Sequence, residues 1–217
     1  MKNKLRQLFL VGAVIAPSLS FATAFTDETL FQAAATGYVL EDFDSYSEGA
    51  AFGDLASLGI TFTDQGDGLP EVRSYVSSIG ASPKTQPNNL ANRPFNELST
   101  QPYIFSATNG ELITAVGLWN IGTDDNMVLE FFDDQNSLIE DHIINAGPAT
   151  FGGIVNLLGA TTVVVRHGGA GNGFMGLDDL QVALASSPPD PTVPAPSAIS
   201  LIALGIAGLR FRKRRIA

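Results

Sequence analysis

From residue 38 to residue 184 the chain is a succession of short β-branched and aromatic runs, each cut off by Gly, Asn, Asp or Pro. Runs this short, bounded by turn formers, build strands, and their close succession builds two packed sheets rather than helices. Strands are expected at 38–43, 60–63, 103–106, 113–120, 127–133, 138–145, 161–166 and 178–184. Turn chemistry lies between them: Asn109-Gly110, the polar run 122–126, and the hairpin residues 133–137. Residues 66–96, rich in Ser, Pro and Asn, are expected as a long surface excursion, and the glycine-rich 168–173 as a turn before the last strand. The expected fold class is all-β, a single β-sandwich.

Charge narrows the partners. Between Phe25 and Pro191 only Arg73, Lys84, Arg93 and Arg166 face all 22 carboxylates of the chain. A body so acidic lacks the cations that neutralise phosphates, so nucleic acid is excluded as a partner. Cations or neutral polar ligands suit it better. The absence of Cys removes disulfides, thiol catalysis and Cys-based zinc sites.

The two ends have a different character. Lys2, Lys4 and Arg6 precede an apolar run over 8–16, and Ala22-Thr23-Ala24 supplies small residues in A-x-A order. This is the layout of a Sec signal peptide at 1–24 with cleavage after Ala24; the alternative is an anchor that stays uncleaved. The other end has a Pro/Ser-rich linker at 186–192, an apolar stretch expected as a helix over about 198–211, and a basic tail carrying Arg210, Arg212, Lys213, Arg214 and Arg215. The apolar run is short for a spanning helix, with bordering residues and snorkelling Arg210 available to extend it. Positive-inside behaviour then leaves the tail in the cytoplasm and the body, 25–185, outside the inner membrane.

Val193-Pro194-Ala195-Pro196, a short helix containing small residues, and a terminal arginine cluster together resemble the PEP-CTERM sorting signal of Gram-negative bacteria, here at 193–217. Ala195 stands where the family name has Glu. The resemblance implies recognition and removal of the tail by an exosortase-type processing enzyme, and a destination in the envelope or extracellular matrix of an exopolysaccharide producer. Asp42-Phe43-Asp44, the run 58–62, Val116-Gly117-Leu118, 131–138 and 173–180 also resemble the exported jelly-roll-like body that accompanies this signal. That likeness implies a β-sandwich and says little of a ligand.

Candidate sites follow from this layout. Glu41, Asp42 and Asp44 on the first expected strand and Asp178 and Asp179 on the last are hard oxygen donors suited to Ca2+, if the terminal strands run side by side. Adjacent strand residues point to opposite faces, so Asp178 and Asp179 share a site only across a bulge. The competing reading is solvated strand ends in an acidic protein. Trp119 is the sole Trp; with Val116 and Leu118 inward, alternation turns it to the other face, where an indole suits a sugar ring. Tyr75, in the excursion, is a weaker aromatic candidate. No catalytic residues are expected, since His142 and His167 are the two histidines and neither G-x-S-x-G nor H-E-x-x-H occurs. The expected function is an exported, non-catalytic envelope or matrix protein associated with exopolysaccharide, with calcium-dependent carbohydrate binding as its mode; the rival is a secreted polysaccharide-acting hydrolase.

Overall fold

The structure, a computed structural model, describes residues 22–66, 68–74, 83–92, 101–122, 125–169 and 175–185. Most of the expected signal peptide, Tyr75, the linker, the apolar C-terminal segment and the basic tail lie outside the described residues. The strands are β1 (Ala22–Phe25), β2 (Val39–Glu41), β3 (Asp54–Leu55), β4 (Ile60–Phe62), β5 (Glu71–Arg73), β6 (Asn89–Ala91), β7 (Tyr103–Ala107), β8 (Leu112–Asn120), β9 (Met127–Phe132), β10 (Leu138–Ile144), β11 (Thr150–Ala160), β12 (Thr162–His167) and β13 (Gly176–Ala185). One helix, α1 (Glu28–Ala34), lies between β1 and β2.

These strands form two antiparallel sheets. The first has the order β1-β11-β8-β13-β6-β5, with β2 also on β13; the second has the order β10-β9-β12-β7-β4-β3. The fold is thus the all-β sandwich that the strand pattern predicts. Between the sheets Val116, Leu118, Ile154, Leu180 and Val182 of the first pack with Phe105, Leu129, Phe131, Val163 and Val165 of the second. The Tyr103 hydroxyl, buried in this core, donates to the carbonyls of Met175 at 2.7 Å and Leu90 at 3.3 Å, tying β7 to the opposite sheet.

Every expected strand is present, with ends moved by at most two residues. The excursion over 66–96 is only partly a surface loop, because it contains β5 and β6, whose Val72 and Leu90 are fully buried. The longest strand, β11, was not expected at all: Gly152-Gly153 and Gly159 look like breakers in sequence.

Those glycines make room. Gly153 pairs with Gly117 across β11 and β8, leaving a hole on the outer face of the first sheet. The Phe31 ring of α1 fills it so closely that a Cβ on Gly117 or Gly153 would come within 2.7 Å or 2.6 Å of it. Asp27 caps the helix, its Oδ1 accepting from Leu30 N at 2.9 Å. Seven residues are too few for a helix to be stable in isolation, so packing of Phe31 with Phe25, Phe151 and Ala115 holds it in place.

Candidate carboxylate site on the first and last strands

β2 and β13 run side by side, Leu180 opposite Glu41, so the first and last expected strands are neighbours. A bulge interrupts β13: Asp178 pairs with Trp119 and Gln181 with Gly117, so Asp179 and Leu180 together oppose Leu118. Asp179 takes φ 48°, an uncommon conformation for a non-glycine residue. The bulge lets both carboxylates reach one segment. Oδ2 of Asp178 accepts from the backbone N–H of Lys84 at 2.7 Å and of Thr85 at 3.0 Å, while Oδ1 of Asp179 accepts from the Thr85 hydroxyl at 3.0 Å. The other Asp178 oxygen accepts from Asp179 N at 2.8 Å.

Glu41, Asp42 and Asp44 are engaged separately. Glu41 is buried; one oxygen accepts from Phe43 N at 3.1 Å and the other from the hydroxyls of Tyr46 and Ser57. These bonds brace a tight corner in which Phe43, at φ 60°, buries its ring in the core. Asp42 accepts from Asp44 N at 3.1 Å, and Asp44 accepts from Asn88 N at 2.9 Å. Asn88 in turn donates to the Tyr46 carbonyl. Asp44 at one end and Asp178 with Asp179 at the other therefore fasten residues 84–88 to the first sheet. Among the described residues no three His, Cys, Asp or Glu side chains gather around a point where one ion would sit.

Burial dominates the electrostatics. Asp178, with no exposed surface, has its pKa pushed up to about 7 by desolvation, against the pull of its N–H donors and with a further push from Asp179. Asp179 is raised too, first by burial and then by Glu28 and Asp42, while Thr85 and Lys84 act the other way. Beside them Gln181 is fully buried and accepts from Gln32 at 3.1 Å while donating to Glu28 at 2.6 Å, so α1 joins the same polar network.

Trp119 stands on the outer face, as alternation predicts, and is half-buried. The Lys84 ammonium lies 4.6 Å from its ring centroid, and the Phe151 ring meets it edge-on at 5.6 Å. Its Nε1 is buried with no hydrogen-bond partner. The indole is therefore partly covered by Lys84 and packed on Phe151.

The histidines lie apart from this cluster. His167, on β12, has Nε2 3.0 Å from Asp125 Oδ2 and accepts at Nδ1 from Gly169 N at 3.1 Å. His142, on β10, has its pKa lowered by burial, with Asp141 and Glu140 opposing. Among the described residues no serine hydroxyl bonds to either ring. A shallow depression lined by Phe62, Thr63, Pro70, Asn92 and Tyr103 has no carboxylate among its described walls.

Sequence reasoning missed Lys84, Thr85 and Gln181. Thr85 is 93 positions from Asp178, and nothing local marks it as a partner. The Glu28–Gln32 spacing of one helical turn was legible in principle, since it places both side chains on one face.

A sorting-signal model matches residues 192–215. The chain carries a PEP-CTERM protein-sorting motif. The PEP-CTERM motif implies an exported, membrane-anchored precursor that an exosortase processes. Val193, Pro194, Ala195, Pro196, Arg210, Arg212, Lys213, Arg214 and Arg215 all lie inside the matched stretch. Ala22 and Ala24, expected at the signal-peptide junction, belong to β1, so cleavage after Ala24 would take three of its four residues from the sheet edge. Among the described residues no helix is long and apolar enough to cross a membrane; the sorting segment lies outside them.

No curated protein matches the chain in sequence. Solved structures similar to this chain include a DUF4465 family protein from Bacteroides caccae, at 8% identity over 58% of this chain and 80% of that one, with a TM-score of 0.36. The CBM22-1-CBM22-2 tandem domain of Paenibacillus barcinonensis Xyn10C matches at 13% identity over 70% and 46%, TM-score 0.40. The CBM22-1 xylan-binding domain of that enzyme matches at 12% over 66% and 100%, TM-score 0.35. Likeness this distant does not transfer a ligand.

Proposed function

We propose that the protein is an exported, non-catalytic component of the cell envelope or extracellular matrix that associates with exopolysaccharide. The sorting motif at 192–215 carries this reading, because such a motif implies that the acidic sandwich is exported. The body's polar groups support a structural role: its buried carboxylates fasten one chain segment to another, with their oxygens already committed to N–H and hydroxyl donors.

One observation favours the rival hydrolase. Asp178 and Asp179 are adjacent carboxylates with raised pKa, the kind of pair that supplies a general acid. Asp178 is, however, sealed beneath Lys84 and Thr85, where no substrate oxygen reaches it. The binding reading is therefore the stronger of the two.

The test is fractionation of native cells into membrane, envelope and matrix, with intact mass read in each fraction, before and after exopolysaccharide synthesis is abolished. Loss of the protein from the matrix fraction of the polysaccharide-free cells is the expected result. Retention in every fraction regardless of polysaccharide would sink the association, and release of reducing ends from the polysaccharide by the purified protein would favour the hydrolase. A melting midpoint raised by calcium and lowered by EDTA would assign the terminal-strand carboxylates an ion; unchanged midpoints would leave them as internal fasteners.

A further inference from the structure

The ends of the described body meet at one pole of the sandwich. Ala22, the first described residue, pairs with Asn156; Ala185, the last, pairs with Leu112 at the start of β8. Between these two sites β11 leaves the ladder: Val155 pairs with Ala115 and the next pair is Ala160 with Ile113, so 156–159 loop out from β8. On that loop stand Leu157 and Leu158, 65% and 66% exposed, the two barest large apolar residues on the β-strands. The loop is built rather than loose. Asn156 is buried and accepts from Leu158 N at 3.0 Å, and Gly159, at φ 77°, lies so close to Leu112 that a Cβ there would come to 2.5 Å. Leu138, also half exposed, joins this end through its pairing with Phe132, whose other partner Thr162 begins β12.

We propose that Leu157 and Leu158 dock this pole onto the surface of the bilayer that anchors the precursor. From Ala185 only residues 186–197 separate the body from the apolar run that begins at Ala198. Fully extended, a dozen residues reach about 40 Å, so anchoring keeps this pole within reach of the lipid and leaves the orientation of the body to the leucines. A tether this short turns a weak two-residue contact into an intramolecular one at high effective concentration. Glu111, Asp133 and Asp134 share this end, while Arg73, Lys84 and Arg166, the cations among the described residues, do not. Docking is thus apolar insertion at the interface, not attraction to anionic headgroups. It rests on the anchored precursor and not on exopolysaccharide association, so the two fail separately.

The experiment uses the full chain, whose lack of native Cys permits single-site labelling. An environment-sensitive probe at Asn109→Cys, in the turn before β8, reports on this pole with both leucines intact; a probe at the exposed Gln65→Cys reports on the far end. The labelled chains are reconstituted in phosphatidylcholine vesicles carrying a shallow lipid-attached quencher. The expected result is quenching at position 109 several-fold above that at 65, falling to the level of 65 in the Leu157→Ser/Leu158→Ser variant and reduced when phosphatidylglycerol is added. Equal quenching at 109 and 65 with both leucines present overturns the proposal, as does quenching at 109 that survives the double substitution. Concentration-dependent shielding of position 109 in lipid-free detergent would place a second copy on the leucines and overturn it as well.

Discussion

The two sheets carry their outer faces differently. On the second, β7 and β12 alternate strictly, burying Tyr103, Phe105, Val163 and Val165 while Ile104, Ser106, Val164 and Arg166 reach outward. On the first, β11 buries six consecutive residues and β13 eight. The reason is cover: α1 lies over Gly117 and Gly153, and residues 84–88 lie over Asp178, so both faces of the first sheet leave water. A sheet buried on one side is forced into apolar-polar alternation; one buried on both sides is free to place Gly, Ala, Gln or a protonatable Asp wherever shape and hydrogen bonding allow. Polar residues on a covered face then mark internal fastening rather than a solvated surface.

The largest effect should come from stripping the cover. Phe31→Ala empties the hole between Gly117 and Gly153 and removes the only buried anchor of a seven-residue helix. A loss of about 3–5 kcal/mol is expected from denaturant unfolding, and a loss below about 1 kcal/mol would mean the helix is not integral to the first sheet. Next comes Asp178→Ala, which leaves three N–H groups without their acceptor and should cost about 2–3 kcal/mol.

Asp178→Asn sharpens the same point through pH. A pKa raised to about 7 in the fold means that the folded state holds its proton more tightly than the unfolded chain. Stability from this group is therefore greatest below the ordinary carboxylate range and is lost as pH rises from about 4 to about 7. His142 acts in the opposite direction: burial lowers its pKa, so its contribution is full above about 6.5 and declines as pH falls. The difference between wild type and Asp178→Asn isolates the aspartate, and it should shrink toward neutral pH. A difference that is flat from pH 4 to 8 would contradict the assigned burial. The smallest effect belongs to the bare sheet. Arg166 reaches Glu130 at 2.7 Å but is nearly half exposed, and Arg166→Ala should cost under about 1 kcal/mol; a larger loss would show that the second sheet's outer face is covered as well.

What was legible in the sequence follows this division. β4, β7, β9, β10 and β12 of the second sheet were all expected from their runs, and only the two-residue β3 escaped. In the first sheet β1, β5, β6 and β11 escaped, together with the helix that covers it. Gly152-Gly153 reads locally as a break, since glycine is costly in a strand. It is a strand because Ile144 on one side and Phe31 on the other leave no room for a larger residue. The candidate site divides in the same way: the neighbouring terminal strands and the outward turn of Trp119 were readable, and so was the condition that a bulge must bring Asp178 and Asp179 to one segment. That the bulge exists, and that Lys84 and Thr85 occupy what it gathers, was not.

By itself the sequence determined the all-β class, the acidity of the exported body and the sorting motif at 192–215, because periodicity, charge count and a contiguous address are properties of neighbouring residues. Tertiary structure alone decided which strands are covered on both faces, which donors consume the buried carboxylates, and which pole carries Leu157 and Leu158. Those depend on contacts between residues far apart in the chain, and on space that a neighbour either fills or leaves empty.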